Sequence, residues 1–115
     1  MRVIASEQIH SNATLFEKSV RADSCDAIVL KLHEIGTVWE AMQLTKAIRE
    51  ESKSLLVEDA QGSTADCFLS DLAVGLGACQ LLAGGLLRGE HTAKYNQLLR
   101  IEEELGDMAK MSSPF

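Results

Sequence analysis

Four short apolar runs punctuate the chain, at Val3–Ala5, Ala27–Leu32, Ser54–Val57 and Cys79–Ala83. Each is followed by a polar or glycine-containing turn and then by helical periodicity. The runs begin at residues 3, 27, 54 and 79, so successive starts lie 24, 27 and 25 residues apart. One strand and one helix with short loops fill such an interval, which predicts a βα unit repeated four times.

The helices carry their own start and stop signals. The first is expected from Ser11 or Asn12, with Ala13, Phe16 and Val20 on one face. A second opens on Thr37-Val38-Trp39-Glu40, a T-x-x-E capping box, and its buried stripe reads Val38, Met42, Thr45, Ile48. Ser63 and Asp66 form a weaker box ahead of Phe68, Leu72 and Leu76. The last helix spans Thr92 to Leu105, with Tyr95, Leu98, Leu99 and Leu105 inward and Gly106 placed to end it. A domain over residues 1–107 and a frayed tail over 108–115, which holds the only proline, follow from this division.

Strands alternating with helices imply an α/β fold of parallel strands joined by right-handed crossovers, and strands this apolar imply a sheet covered on both faces. A small open sheet and half of an eight-stranded barrel both satisfy that description. An open nucleotide-binding sheet calls for a glycine-rich phosphate loop after its first strand, and Ser6-Glu7-Gln8 contains no glycine.

Composition narrows the function classes. The 115 residues carry 17 Asp plus Glu against 11 Lys plus Arg, a net charge of −6, so no basic footprint for nucleic acid or anionic lipid exists. Aromatics are 4 %, which requires an aliphatic core. Three cysteines without C-x-x-C spacing favour neither a disulfide framework nor a zinc site, and imply a reducing compartment. The uncharged stretch Leu72–Leu87 is shorter than the roughly 18 to 20 residues of a membrane span and holds four glycines. Met1-Arg2-Val3-Ile4-Ala5-Ser6-Glu7 reaches a carboxylate before a signal-peptide core can form, so a cytoplasmic location is expected.

In parallel α/β folds the reactive groups gather at the carboxyl ends of the strands. Here those ends are Ser6-Glu7, Lys31, Glu58-Asp59 and Leu82. A lysine closing the run Ile28-Val29-Leu30 is drawn toward a low-dielectric pocket, where it can act as a base; equally, it can pair with Glu58 or Asp59 or turn to water. His33-Glu34 starts like H-E-x-x-H, but residue 37 is Thr. His10, His33 and His91 have no metal-binding spacing, and Cys25, Cys67 and Cys79 read as small packing residues. Gly84-Gly85 either lets backbone amides approach an anion or serves a tight turn. Glu102-Glu103-Glu104 is a solvated face.

Three segments resemble a known family. Ala93-Lys94-Tyr95-Asn96-Gln97-Leu98-Leu99-Arg100-Ile101-Glu102-Glu103-Glu104-Leu105-Gly106 is similar to the last helix of enolase, the glycolytic lyase that dehydrates 2-phosphoglycerate to phosphoenolpyruvate. Leu30-Lys31-Leu32-His33-Glu34-Ile35-Gly36-Thr37 is similar to that family's L-K-x-N-Q-I-G-[ST], and Asp71-Leu72-Ala73-Val74-Gly75-Leu76 to its D-L-x-V-G-L. The resemblance implies the C-terminal half of a TIM-type barrel, four parallel βα units. An amino-terminal domain, the first barrel half and two of the three carboxylate ligands for magnesium would then lie outside these residues.

Carried over position by position, the resemblance places the general-base lysine on Lys31. The third metal-binding aspartate falls on Ser6, with Glu7 beside it. The S-H-R-S substrate loop falls on Glu58-Asp59-Ala60-Gln61, so the active-site histidine is Asp59, the phosphate-clamping arginine Ala60 and the serine Gln61. The substrate-binding lysine falls on Leu82. Carboxylates where cations are needed would repel a phosphorylated carboxylate. The resemblance thus implies an enolase-like pseudoenzyme, inactive as this chain and with magnesium not bound by it alone, or a scaffold on the same barrel. These departures fit a diverged paralogue such as the sperm-type branch better than the housekeeping enzyme. Half a barrel would also expose its edges and interior side chains, which implies a homo-oligomer or docking onto the missing amino-terminal half.

Overall fold

A computed structural model describes residues 2–5, 18 and 25–113. Four strands form one sheet: β1 (Ile4–Ala5), β2 (Ala27–Lys31), β3 (Ser54–Glu58) and β4 (Gln80–Leu82). All neighbours are parallel and the spatial order is β1-β2-β3-β4, the order of the chain. A strand is therefore present at each of the four apolar runs, and helices follow β2, β3 and β4. The helix expected from Ser11 or Asn12, with Ala13, Phe16 and Val20, lies outside the described residues apart from Lys18.

Between the strands run α1 (Leu32–Ile35), α2 (Val38–Glu50) and α3 (Phe68–Gly75), and α4 (Gly89–Leu105) follows β4. The sheet's pleat divides its side chains. Ile28, Leu30, Leu55 and Val57 join Ala41 and Ile48 of α2 and Leu69, Leu72 and Ala73 of α3 in the main core. On the opposite face Ala27, Val29 and Leu56 pack on one another and on Cys79. These opposite-face residues are at most 5 % exposed, whereas Ile4 and Leu82, in register on the same face at the sheet's outer strands, are 44 % and 46 % exposed. Asp26 fixes the first register: its N–H donates to Val3 O at 2.8 Å and its Oδ2 accepts from Val3 N at 2.7 Å.

Helix α2 begins where the capping signal placed it, with Thr37 Oγ1 accepting from Glu40 N at 3.2 Å and its hydroxyl donating to Glu40 Oε2. Its buried stripe is Ala41, Thr45, Ile48, whereas Val38 and Met42 are exposed. The small Ala41 admits close approach to the sheet, and Thr45 enters the core because its hydroxyl donates to Ala41 O at 2.8 Å. On helix α3 Leu72 and Leu76 are buried as expected, but Leu69 and Ala73 join them and Phe68 is exposed. Its first turn is held by Asp66 Oδ1, which accepts from Phe68 N, while Ser63 is engaged elsewhere.

Helix α4 ends at Gly106, whose φ of +52° suits glycine. Its inward side chain is Lys94, with Leu98 half-buried, while Leu99 and Leu105 are exposed. At about 100° per residue Leu99 sits about 140° around the helix from Lys94, so burying one carries the other outward. Lys94 is thus brought beneath the strand ends.

Candidate functional site

The carboxyl ends of β2, β3 and β4 place Lys31, Glu58 and Leu82 in one row across the sheet, since Lys31 is in register with Glu58 and Glu58 with Leu82. Lys31 is 6 % exposed. Its Nζ lies 3.7 Å from Glu58 Oε2 and 3.9 Å from Glu34 Oε1, the latter supplied by α1 directly after the strand. Of the pairings open to Lys31, the structure contains the one with Glu58. Leu82 is exposed and carries no charge, although its carbonyl accepts from Asp59 N at 2.9 Å and so ties β4 to the β3 end.

Asp59 is bound to a different lysine. Its Oδ2 accepts from Ser63 Oγ at 2.5 Å and lies 3.0 Å from Lys94 Nζ, while its Oδ1 accepts from Ala60 N at 2.9 Å. Burial pushes this carboxyl's pKa up, but the hydrogen bonds from Ser63 and Lys94, the lysine's charge and the Ala60 N–H outweigh it and hold it below the ordinary 3.8. Lys94 is 2 % exposed and also donates to Ser63 Oγ and Thr64 O, each at 2.7 Å, and to Glu90 O at 3.0 Å. One buried ammonium therefore joins the β3 end, the loop after it and the first turns of α4.

Two clefts adjoin this cluster. The one of about 400 Å³ is lined by Lys31, Glu34, Glu58, Asp59, Ala60 and Gln61; the other, of about 460 Å³, shares Glu58, Asp59 and Ala60 and has Lys94 and Phe68 in its wall. Gln61 is exposed on the loop rim and Ala60 is half-buried. Around the mouth stand the cations Lys31 and Lys94 and the carboxylates Glu34, Glu58 and Asp59. The carboxylates that sequence alone sets as bare repulsive charges each face a lysine, so the mouth holds opposed charges close to balance.

Gly84 accommodates close packing. Its φ is +79°, an added Cβ would stand 2.7 Å from the His91 ring, Tyr95 Oη donates to its carbonyl, and His91 Nδ1 lies 3.0 Å from Gly85 O. Among the described residues no three His, Cys, Asp or Glu side chains are arranged to hold a metal ion. Ser6 and Glu7, where the sequence placed a metal ligand, lie outside the described residues. None of the described helices is long and apolar enough to cross a membrane.

Lys94 and Ser63 are the members of this cluster that sequence reasoning missed. A signal existed: Lys94, Leu98 and Ile101 recur at i, i+4, i+7, so a lysine occupies the apolar stripe of α4 and needs acceptors where it is buried.

Consecutive parallel strands, helices between them and charged residues gathered at the strands' carboxyl ends define a segment of a TIM-type barrel. The family model "Enolase, C-terminal TIM barrel domain" matches residues 1–113, and the chain belongs to this family. It is 44 % identical over 108 residues to "Cytosolic enolase 3" of Arabidopsis thaliana, covering 94 % of this chain and 23 % of the relative. It is 40 % identical over 106 residues to "Enolase" of Mastigamoeba balamuthi, covering 92 % of this chain and 24 % of the relative. The chain thus spans about a quarter of the length of these curated relatives.

Proposed function

We propose that this chain is a non-catalytic interaction module built on the enolase barrel, and that on its own it does not dehydrate 2-phosphoglycerate. The observation that carries this reading is the bonding of Asp59 at the position of the family's active-site histidine. A carboxylate held ionised by Ser63, Lys94 and the Ala60 N–H has no proton to give and no positive charge for a substrate anion. Ala60 and Leu82, at the positions of a phosphate-clamping arginine and a substrate-binding lysine, add no cation. Lys31 keeps the base position, yet its ammonium faces Glu58 and Glu34. Magnesium is the metal that membership of the family suggests; the described residues do not form a site for it, and no step is assigned to it.

The retained Lys31 favours a second reading, a lyase segment that works when the remainder of the barrel is supplied. One experiment separates the two. The purified chain is assayed for magnesium-dependent phosphoenolpyruvate formation, alone and mixed with a separately expressed amino-terminal portion of the Arabidopsis relative. No product is expected in either arm. Activity that disappears in Lys31→Ala would establish the lyase. A module with outer strands β1 and β4 is expected to associate, with itself or with a complementary barrel half in a cytoplasmic setting, and light scattering on the same sample reports it.

A further inference from the structure

Three donors converge on the Asp59 carboxylate, one from a distant helix and two from its own loop: Lys94 Nζ from α4, Ser63 Oγ four residues on, and the Ala60 N–H next in sequence. Two are neutral and one is charged, the donor set that binds a carboxylate from solution. Lys94 is held in place without Asp59, because Thr64 O and Glu90 O also accept from it. Asp59 lines both clefts and its side chain is 16 % exposed, whereas Lys94 lines one of them and its side chain is 3 % exposed, so the aspartate is the more accessible of the pair.

We propose that Lys94 Nζ, Ser63 Oγ and the Ala60 N–H form a binding site for a small carboxylate, and that the chain's own Asp59 occupies it. The mouth is closed to exogenous anions here because an internal anion already fills this converging set of donors. A singly charged ligand in the place of Asp59 keeps the charges of the mouth close to balance and a dianion exceeds it, so the site selects singly charged carboxylates over phosphate. The inference is independent of whether the chain retains lyase activity, since its readout is the stability of the fold.

Asp59→Gly removes a CH₂COO⁻ group, which is acetate less one hydrogen. The full chain carrying Asp59→Gly is expected to melt more than about 10 °C below the parent, since it leaves a buried ammonium without its counter-charge. Sodium acetate should raise its midpoint saturably, with sodium chloride at equal ionic strength as the reference. Acetate should not raise the midpoint of the parent, whose site is filled, or of Asp59→Gly/Lys94→Met, whose cation is gone. Inorganic phosphate should act more weakly than acetate on Asp59→Gly. If Asp59→Gly is unfolded in chloride, recovery of the parent's circular dichroism in acetate supports the site, and failure to recover overturns it. An equal acetate effect on all three proteins, or none on Asp59→Gly, also overturns it.

Discussion

Replacing Lys94 by Met tests whether the buried ammonium organises the mouth. Methionine keeps an unbranched stem of similar length and removes only the charge and the donors. The substitution strips the cation from Asp59 and a hydrogen bond from each of Ser63 Oγ, Thr64 O and Glu90 O. Breaking a buried ion pair by removing one partner costs about 3 to 5 kcal/mol. The lower end applies here, because the Asp59 side chain is 16 % exposed and keeps its bonds to Ser63 and Ala60. With a urea m-value of about 1.5 kcal/mol/M, a loss of about 3 kcal/mol lowers the unfolding midpoint by about 2 M. Asp59→Asn and the double variant complete a cycle, in which the coupling should be about 1 to 3 kcal/mol. A midpoint shift below about 0.3 M for Lys94→Met, or single effects that add to within about 0.5 kcal/mol, would refute the organising role.

Two further outcomes follow from neighbouring contacts. Because folding lowers the pKa of Asp59, its ionised form contributes stability above the unfolded value near 3.8, and that contribution is lost as pH falls through the lower folded value. Urea midpoints should therefore drop on acidification below about pH 4, and drop less steeply in Asp59→Asn; parallel slopes would remove Asp59 from the account. Gly84→Ala must adopt a φ of +79° and push its Cβ against the His91 ring at 2.7 Å, disturbing the contact between His91 Nδ1 and Gly85 O. A loss of about 2 to 3 kcal/mol is expected by urea denaturation, and an unchanged midpoint would show that the turn is not held by this packing.

The four-strand repeat was legible because buried parallel strands are apolar throughout, so each run stands out against its polar turns at Ala27, Ser54 and Cys79. The helices after β3 and β4 and the one from Val38 were legible from their periodicity, with Thr37 and Glu40 marking one start through local hydrogen bonding alone, whereas the short helix Leu32–Ile35 was not. Helix rotation was not. Apolar weight favoured Met42 and Phe68, but a helix seated on a sheet is docked by what fits at closest approach, and there Ala41 and Leu69 prevail. The strand-end residues could be named from position, since one end of a parallel sheet collects them.

Which charges meet was beyond the sequence, because pairing depends on how far α4 rolls toward β3. Glu58 and Asp59 follow one another at the end of β3, and sequence alone left both open as partners of Lys31. The register sets Lys31 against Glu58, and the side chain of Asp59, the next residue, contacts Lys94 of α4. Successive residues leaving a strand project to opposite sides, so a single-residue step decides which lysine each carboxylate meets. At the end of β3 that step separates a strand-end carboxylate facing Lys31 from one that fixes a helix, and it makes Asp59 part of the fold's internal bonding.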